Sequence, residues 1–293
     1  MHPTLFRIGN FEVTTFGLMM FLAFIVGSWI LSLQLKRREL NPDIAWDAIL
    51  WIAIGGIVGA KAYYIALHIP DLMAHPAREL TSRGGLVWYG GFIGGVAAYY
   101  LYIRRHKLPL ARMFDSTAPA LAIAYATGRV GCFLVGDDYG RPTNAWYGIA
   151  FPKGSPPSTA GYFRSLGVHV PASLSNDAVM AVHPTQLYEI ALGLIMFAIL
   201  WKLSKHVMAP GRLFAVFMVL YAVERFFVEF VRAKGDRYVF GLSTSQVASI
   251  VLVALAAYIW HRTRSWTPAR ATAPTPEDGG PDRGSPKAPA TRR

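Results

Sequence analysis

Long apolar runs separated by short polar segments dominate the chain. Seven such runs lie at residues 16–35, 46–67, 86–103, 114–135, 186–201, 213–231 and 243–260. A helix needs about 20 mostly apolar residues to cross a hydrocarbon core of roughly 30 Å. The pattern therefore predicts an all-α integral membrane protein, a bundle of about seven transmembrane helices. Because the fifth run is short, we expect its helix to begin nearer to His183.

The composition agrees with the membrane class. Hydrophobic residues make up 53% of the chain and charged residues 16%, and the mean hydropathy is +0.32. A net charge of +12 would suggest nucleic acid in a soluble protein, but these charges lie between apolar runs, so no nucleic-acid partner is expected. The single cysteine, Cys132, excludes an internal disulfide and a multi-cysteine metal site. No metal or nucleotide motif is visible, and neither a metal nor a cofactor is expected.

The distribution of basic residues predicts the orientation. Residues 1–15 lack a basic region followed by a small-residue cleavage site, so the first run is expected to be a retained helix and not a signal peptide. With the N-terminus outside, 17 of the 29 Lys and Arg residues fall on inner segments and nine on outer ones. Inner segments are normally the more basic. The N-terminus is therefore predicted outside and the C-terminus inside.

Two segments are expected to lie outside the bundle. Residues 136–182 form a polar insertion with Pro and Gly, which we predict to be a small external cap over the bundle mouth. Residues 267–293 are rich in Pro, Ala, Thr and Gly with mixed charges, and they predict a disordered cytoplasmic tail after a membrane domain at 1–266. No internal repeat is visible, which argues against an inverted-repeat transporter.

Three cations interrupt the apolar runs: Lys61, Arg129 and Arg225. At 1.5 Å per residue each lies roughly 10 Å below the outer surface, where an ionisable group costs at least ~2.5–3.5 kcal/mol. They could snorkel to the surface, and Arg225 could pair with Glu229 four residues on. Since few acids share the spans, we favour a pocket for an anion, open to the outer leaflet. A phospholipid phosphate is the abundant anion at that depth, and arginine binds it through two N–H groups.

Further polar residues collect at the same end of the predicted bundle. Any one of them has a simpler interpretation as a helix cap or interfacial anchor: Tyr89 beside Trp88 is typical of an aromatic belt, and His183 before Pro184 is typical of a helix entry, which we prefer for that residue alone. Their coincidence at one end predicts a site. The candidates are Tyr89, Gly90 and Gly91 at the third helix, Asp137 and Asp138 after the fourth, His183, Gln186 and Glu189 at the fifth, and Glu229 and Arg232 at the end of the sixth.

Several motifs resemble the prolipoprotein diacylglyceryl transferase family of bacteria, over most of the chain from about residue 8 to 260. The most specific is GRVGCFLVGDDYG at 128–140, followed by HPTQLYE at 183–189, the segment 221–232 and LSTSQ at 242–246. In these motifs Arg129, Arg225, Glu229 and Arg232 fall on the family's Arg, Arg, Glu and Arg. The helix count and orientation also agree with the family.

The chain departs from the family's pattern at five positions. Where the family has His-Gly-Gly, this chain has Tyr89-Gly90-Gly91; the other four positions are Cys132 for Asn, Asp137 for Glu, Phe16 for Tyr and Lys61 for Arg. Because the family's histidine is missing, the sequence does not identify the group that deprotonates the acceptor thiol. His183, Asp137 and Glu189 are candidates, and nearby cations could also lower the pKa of the substrate thiol without a dedicated base. Tyr89 is expected to orient the lipid head group rather than to accept the proton.

The resemblance implies transfer of the diacylglyceryl group of phosphatidylglycerol to the lipobox cysteine of a prolipoprotein in the bacterial inner membrane. It implies that Arg129 matches the arginine that binds phosphatidylglycerol and that Arg225 matches the second essential arginine. Because preorganised cations in a low-dielectric site stabilise developing charge, we expect both to stabilise the leaving phosphate, with Lys61 assisting. Tyr89, Gly90, Gly91, Gln186, Glu189, Glu229 and Arg232 complete the expected substrate site. The expected partners are phosphatidylglycerol, the lipobox segment and membrane lipids.

Two other functions remain open from the residues. One is a diverged phospholipid head-group transferase with another acceptor, which the missing histidine favours slightly. The other is a lipid-binding or transport protein that uses the cations as an anion pathway. The inner halves of the spans are nearly free of charge, which argues against a path through the membrane.

Overall fold

A computed structural model describes residues 4–8, 11–81, 87–233, 237–239 and 241–265. In this part of the chain there are ten helices: α1 Thr15–Arg37, α2 Ile44–Leu67, α3 Ile69–Ala74, α4 Pro76–Thr81, α5 Trp88–Arg105, α6 Leu110–Val135, α7 Ala160–Ser165, α8 Thr185–Leu203, α9 Arg212–Val228 and α10 Thr244–Arg262. Three short antiparallel pairs join six strands: β1 Thr4–Ile8 with β2 Phe11–Thr14, β3 Ile149–Ala150 with β4 Ala181–Val182, and β5 Arg237–Val239 with β6 Leu242–Ser243.

The predicted membrane class is confirmed. Seven of the described helices, α1, α2, α5, α6, α8, α9 and α10, have at least 17 residues and coincide with the seven apolar runs. Five of them are long and apolar enough to cross a membrane: α1, α2, α6, α8 and α10. The other two are shorter than these five, since α5 has 18 residues and α9 has 17. The helix of the fifth run begins at Thr185, two residues after His183. The predicted tail at 267–293 lies outside the described residues.

The helices pack in a continuous series. Helix α6 contacts α1, α8 and α9, and α9 in turn contacts α10. A buried cluster joins α1, α2, α5 and α6 at the end of the bundle where α1 leads into α2 and α5 into α6, and Leu35, Ile103 and Met113 are completely buried there. Helix α6 is therefore the central element of the bundle, and it carries Arg129.

Glycines set the distance between α2 and α5. A Cβ on Gly94 would overlap the Gly55 carbonyl oxygen and lie 2.8 Å from Gly59 Cα, and Gly90 meets Gly59 in the same way. In the sequence, the small-residue steps Gly55 to Gly59 and Gly91 to Gly95 predict close helix approach, with Gly91 and Gly95 on the close face of α5. The structure instead puts Gly90 and Gly94 there, because α5 is rotated so that a Cβ on Gly95 would make an ordinary 3.5 Å contact. Small residues of this kind allow backbones to approach closely in membranes.

We expect Gly94→Ala to destabilise the protein by about 1–3 kcal/mol, since the added methyl group forces two backbones apart. Gly95→Ala is the matched control, because the adjacent glycine has room for a methyl group. Thermal unfolding of both variants in detergent compares them directly. Equal midpoints for the two variants would contradict the assigned helix contact.

Helix α9 is positioned by a carboxylate from α6. Asp115 accepts hydrogen bonds from the backbone N–H of Gly211 at 2.7 Å and of Phe214 at 2.9 Å. These are N–H groups of the first turn of α9, which have no partner within the helix. Asp115 is buried and therefore serves as an N-cap supplied from another helix, which ties the start of α9 to α6.

The segment between α6 and α8 has its own buried cluster, with Phe151 and Phe163 completely buried and Tyr139 stacked on Phe151 at 5.3 Å. At the bundle it is joined to two other segments. The Gly140 N–H donates to the His183 carbonyl at 2.8 Å, and the Arg141 N–H donates to the Val231 carbonyl at 2.8 Å. The end of α6, the start of α8 and the residues after α9 are thus held together at one end of the bundle.

Candidate active site

The turn after α6 directs a carboxylate back into the bundle. Gly136, with φ 75°, ends the helix in the left-handed conformation, and Asp138 follows with φ 55°. Aspartate is among the few residues other than glycine that adopt this region readily. Thr185 donates to the Asp138 carbonyl at 2.8 Å and Gln186 donates to the Asp137 carbonyl at 2.5 Å. The start of α8 therefore holds this turn through side-chain hydrogen bonds.

Asp138 binds two arginines. Its Oδ2 lies 3.0 Å from Arg129 Nη1, and its Oδ1 lies 2.7 Å from Arg232 Nη2. The Arg232 side chain is 2% exposed, whereas that of Asp138 is 36% exposed. Asp138 thus bridges α6 to the segment after α9 and forms the outer edge of the cluster.

Glu189 on α8 is the centre of the cluster. Its carboxylate is completely buried and lies 3.2 Å from Arg129 Nε, 3.1 Å from Arg225 Nη1 and 3.2 Å from Arg232 Nη1. Residues from three separate segments converge on this one side chain. One oxygen of Glu189 pairs with Arg129, and the other pairs with Arg225 and Arg232.

Both terminal nitrogens of Arg225 have partners, since Nη1 pairs with Glu189 and Nη2 is bound as well. Its Nη2 donates to Glu229 Oε2 at 2.8 Å and to Ser245 Oγ at 3.0 Å. The i,i+4 pair with Glu229 that the sequence allowed is therefore present. The sequence suggested that few acids would neutralise the cations, and this is wrong for the arginines. Arg129, Arg225 and Arg232 are balanced by Asp138, Glu189 and Glu229.

Arg129 keeps part of its guanidinium available. Its Nη1 and Nε are bound as described, while within the described part of the chain no partner takes Nη2. The side chain is 15% exposed, and its guanidinium carbon lies 5.3 Å from the centre of the Tyr125 ring. A planar donor group held on one edge and open on the other is suited to bind an oxyanion.

Asp137 stands apart from the ion-pair cluster. Its side chain is a hydrogen-bond partner of the Cys132 thiol, and burial raises the pKa of the Asp137 carboxyl above its ordinary value. Its Oδ1 is buried without a hydrogen bond to any described residue. A carboxylate with a raised pKa and an unused lone pair is a better proton acceptor than one held by arginines.

His183 lies two residues before the first residue of α8, Thr185. Its Nδ1 is 3.3 Å from the Tyr188 hydroxyl, and its ring is 5.9 Å from that of Tyr147. Its backbone is fixed against Gly140, where a Cβ would come within 2.7 Å of His183 Cβ. This placement agrees with the helix-entry interpretation of His183.

Lys61, Tyr89 and Gly90 belong to the α2–α5 pair. The Lys61 ammonium lies 5.3 Å from the centre of the Tyr64 ring, and the Tyr89 side chain is 52% exposed. Gly90 is in contact with Gly59, so its position is explained by helix packing. Gly91 faces the Gly56 carbonyl oxygen. The structure thus brings Arg129, Arg225, Arg232, Glu189 and Glu229 together and places the α2–α5 candidates on a different pair of helices.

A comparison with protein families gives a match over residues 3–262 to the family described as prolipoprotein diacylglyceryl transferase. This chain belongs to that family. A relative from Clostridium tetani is 31% identical over 265 residues, which cover 90% of this chain and 98% of the relative. A relative from Trichormus variabilis is 30% identical over 268 residues, covering 88% and 89%, and one from Neisseria gonorrhoeae is 31% identical over 272 residues, covering 86% and 92%. Each of these relatives is named phosphatidylglycerol–prolipoprotein diacylglyceryl transferase.

Sequence reasoning missed several polar residues of this family member's site. For Asp138, which was a candidate together with Asp137, the sequence did not indicate the ion pairs, because two adjacent aspartates cannot be told apart without backbone angles. Ser245 follows the capping box of α10, in which Ser243 and Gln246 hydrogen-bond each other's backbone, a pattern that marks helix starts in sequences. Glu224, 5% exposed in α9, accepts from the Tyr125 hydroxyl at 3.0 Å. The sequence could have indicated Glu224 as a site residue, since it is an ionisable residue inside an apolar run.

Proposed function

We propose that this chain transfers the diacylglyceryl group of phosphatidylglycerol to the cysteine thiol of a prolipoprotein. The convergence of Arg129 and Arg225 on Glu189, within 3.1–3.2 Å, carries the proposal. Two arginines from different helices are held at one end of the bundle, and Nη2 of Arg129 remains available as a hydrogen-bond donor. Membership of the family and the names of the relatives support the same reaction.

In this reaction the acceptor sulfur forms a bond to the glycerol carbon that carries the phosphate. The bond between that carbon and the phosphate oxygen breaks, and its electron pair stays on the oxygen. The thiol proton goes to a base and finally to the solvent or the released glycerol phosphate. The products are a thioether and glycerol phosphate, with no oxidation or reduction, so the balance requires no redox group.

The arginines supply the electrostatic part of this mechanism. Negative charge grows on the leaving phosphate in the transition state, and preorganised donors in a site of low dielectric stabilise such charge strongly. Arg129 presents Nη2 to the phosphate, while Arg225 is fixed by Glu189, Glu229 and Ser245. The carboxylates keep the guanidinium groups in place before the lipid enters. Because the guanidinium groups are already in place, they do not have to rearrange during the reaction.

We assign proton acceptance to Asp137. Glu189 is held by three arginines, and His183 is turned toward Tyr188 and Tyr147. Asp137 is the remaining candidate, beside the arginine cluster and with a buried Oδ1 that has no described partner. A carboxylate here would take the proton of a thiol whose own pKa is near 8.5, helped by the adjacent cations.

The outer placement of the site follows from the predicted topology. With the N-terminus periplasmic, the ends of α6 and α9 and the start of α8 face the periplasm of the bacterial inner membrane. Phosphatidylglycerol of the outer leaflet and the lipobox of an exported prolipoprotein reach the site from that side. Membrane lipids surround the bundle.

The transfer reaction tests the proposal directly. The purified full chain is incubated with phosphatidylglycerol and a lipobox peptide, and mass spectrometry detects the diacylglyceryl thioether and glycerol phosphate. The same modification is expected on lipoproteins of a bacterium depleted of its own transferase and supplied with this chain. A folded chain that binds phosphatidylglycerol but forms no thioether with any lipobox peptide would favour a lipid-binding protein or a transferase with another acceptor.

The assignment of Asp137 predicts a pH dependence. A proton acceptor works in its ionised form, so the rate should rise with pH through the pKa of Asp137 and level off above it. Because burial raises that pKa, this limb lies at higher pH than for an exposed aspartate. Asp137→Asn is expected to lower the rate by about 10²–10⁴-fold.

His183→Ala is the comparison variant, and it should keep the acidic limb of the rate profile. Initial rates between pH 4 and 8 distinguish the two residues. Loss of the limb in His183→Ala together with normal rates in Asp137→Asn would reverse the assignment.

A further inference from the structure

Glu224 is a buried carboxyl that the reaction as described does not use. It precedes Arg225 on α9 and is 5% exposed. Its Oε1 accepts a hydrogen bond from the Tyr125 hydroxyl at 3.0 Å, whereas its Oε2 is buried without a hydrogen bond to any described residue. An ionised carboxylate in such a place is poorly solvated, and a buried charge of this kind is costly unless it is paired.

Of the helices packed against α9, α6 and α8 contribute titratable groups that face Glu224, and α9 contributes its own. Helix α10 carries no titratable side chain between residues 244 and 257. The other facing groups are Tyr125 and Arg129 on α6, Glu189 on α8, and Tyr221 and Arg225 on α9 itself. Both arginines already bind carboxylates. Glu189 therefore opposes the ionisation of Glu224, and the two arginines only partly favour it.

The charges of the cluster decide between the two forms of Glu224. Three guanidinium groups are matched by the carboxylates of Asp138, Glu189 and Glu229. An ionised Glu224 would be a fourth negative charge beside the same arginines. The phosphate of a bound phospholipid, which carries one negative charge, would occupy the same electrostatic position.

We propose that Glu224 is protonated when a lipid phosphate binds, so that ionisation of Glu224 and phosphate binding at Arg129 and Arg225 oppose each other. This inference rests on the phosphate site of the proposed function and adds a residue that controls its affinity. Glu224 does not touch the phosphate. It acts on the net charge around Arg225, its neighbour in the chain, and on Arg129 through Tyr125, and is therefore a positioning residue.

The expected effect is a loss of lipid affinity at alkaline pH. When one proton must be retained for binding, Kd rises by up to about tenfold per pH unit above the point where Glu224 ionises. Glu224→Gln keeps the shape and the uncharged state, so its Kd should lack this contribution. In Tyr125→Phe the rise should move to higher pH, because a hydrogen bond from a phenol favours the ionised carboxylate.

Binding of a fluorescent short-chain phosphatidylglycerol to the full chain in detergent, between pH 6 and 9, tests the inference. Glu39→Gln makes the same chemical change at an exposed inner-loop site and should follow the parent protein. A Kd for the parent that does not change with pH would overturn the inference. So would an equal pH dependence in Glu224→Gln, or a folded Glu224→Gln that fails to bind at any pH.

The binding assay contains no acceptor peptide, which separates the inference from the proposed reaction. If the pH dependence of Kd disappears in Glu224→Gln, the inference is supported even when no thioether forms. In that case only the transfer reaction is refuted. Thioether formation with a Glu224-independent Kd refutes the inference alone. A chain that does not bind phosphatidylglycerol at any pH overturns both.

Discussion

Replacing Arg129 with alanine is expected to lower the rate of thioether formation by about 10³-fold, the upper range for losing one preorganised donor to a developing negative charge. The structure gives the reason: Arg129 is held by Asp138 and Glu189 on two nitrogens and leaves Nη2 for the leaving phosphate. Initial rates with phosphatidylglycerol and a lipobox peptide measure the loss. A wild-type rate in Arg129→Ala would remove Arg129 from the mechanism.

Arg129→Lys separates charge from geometry. Lysine keeps the positive charge, but its ammonium cannot hold Asp138 and Glu189 in the fixed fork of a guanidinium and also present a donor to phosphate. We expect this variant to recover little of the lost rate. Arg104→Ala, at an exposed position in the last turn of α5, is the control that should retain transfer. Full recovery by lysine would mean that charge alone is needed at this position.

Removing the charge of Glu189 is expected to have the largest effect on stability. In Glu189→Gln three buried guanidinium groups lose the carboxylate they share, and breaking buried ion pairs from one side typically costs about 3–5 kcal/mol. The arginines would also repel one another and move from their positions. Thermal unfolding in detergent should show a large decrease in midpoint, and transfer should fall with it.

Glu229→Gln provides the graded comparison. Glu229 lies 2.8 Å from Arg225 Nη2 and 3.8 Å from Arg232 Nε, so it makes one close ion pair where Glu189 makes three. Its loss should destabilise the protein less. An unfolding midpoint in Glu189→Gln equal to or above that of Glu229→Gln would show that Glu189 is not the centre of the cluster.

Much of the fold was accessible from the sequence, because a membrane imposes a length and an apolar composition on each helix. The seven runs predicted the seven long helices, and the cations stood out because charge is costly in an apolar run. The Arg225–Glu229 pair was also visible, since residues four apart lie on one face of a helix. These features are local, or they depend on a solvent whose thickness is known.

The partners of the arginines were not accessible in the same way. Glu189 is 60 residues from Arg129 in the chain, and Asp138 meets Arg129 and Arg232 from a turn in which its φ is 55°. The neighbouring Asp137 has the same chemistry and a different environment. Likewise, only the rotation of α5 about its axis distinguishes Gly94 from Gly95.

By itself, the sequence determined that this protein is a helical membrane protein with arginines toward one end of its bundle. It did so because hydrophobic length and the cost of buried charge can be read one segment at a time. Only the tertiary structure decided that the arginines form a charge-balanced cluster around Glu189, with Asp137 and Glu224 outside its ion pairs. The balance of a buried charge depends on which groups from distant segments come within about 3 Å of it, and helix packing sets those distances.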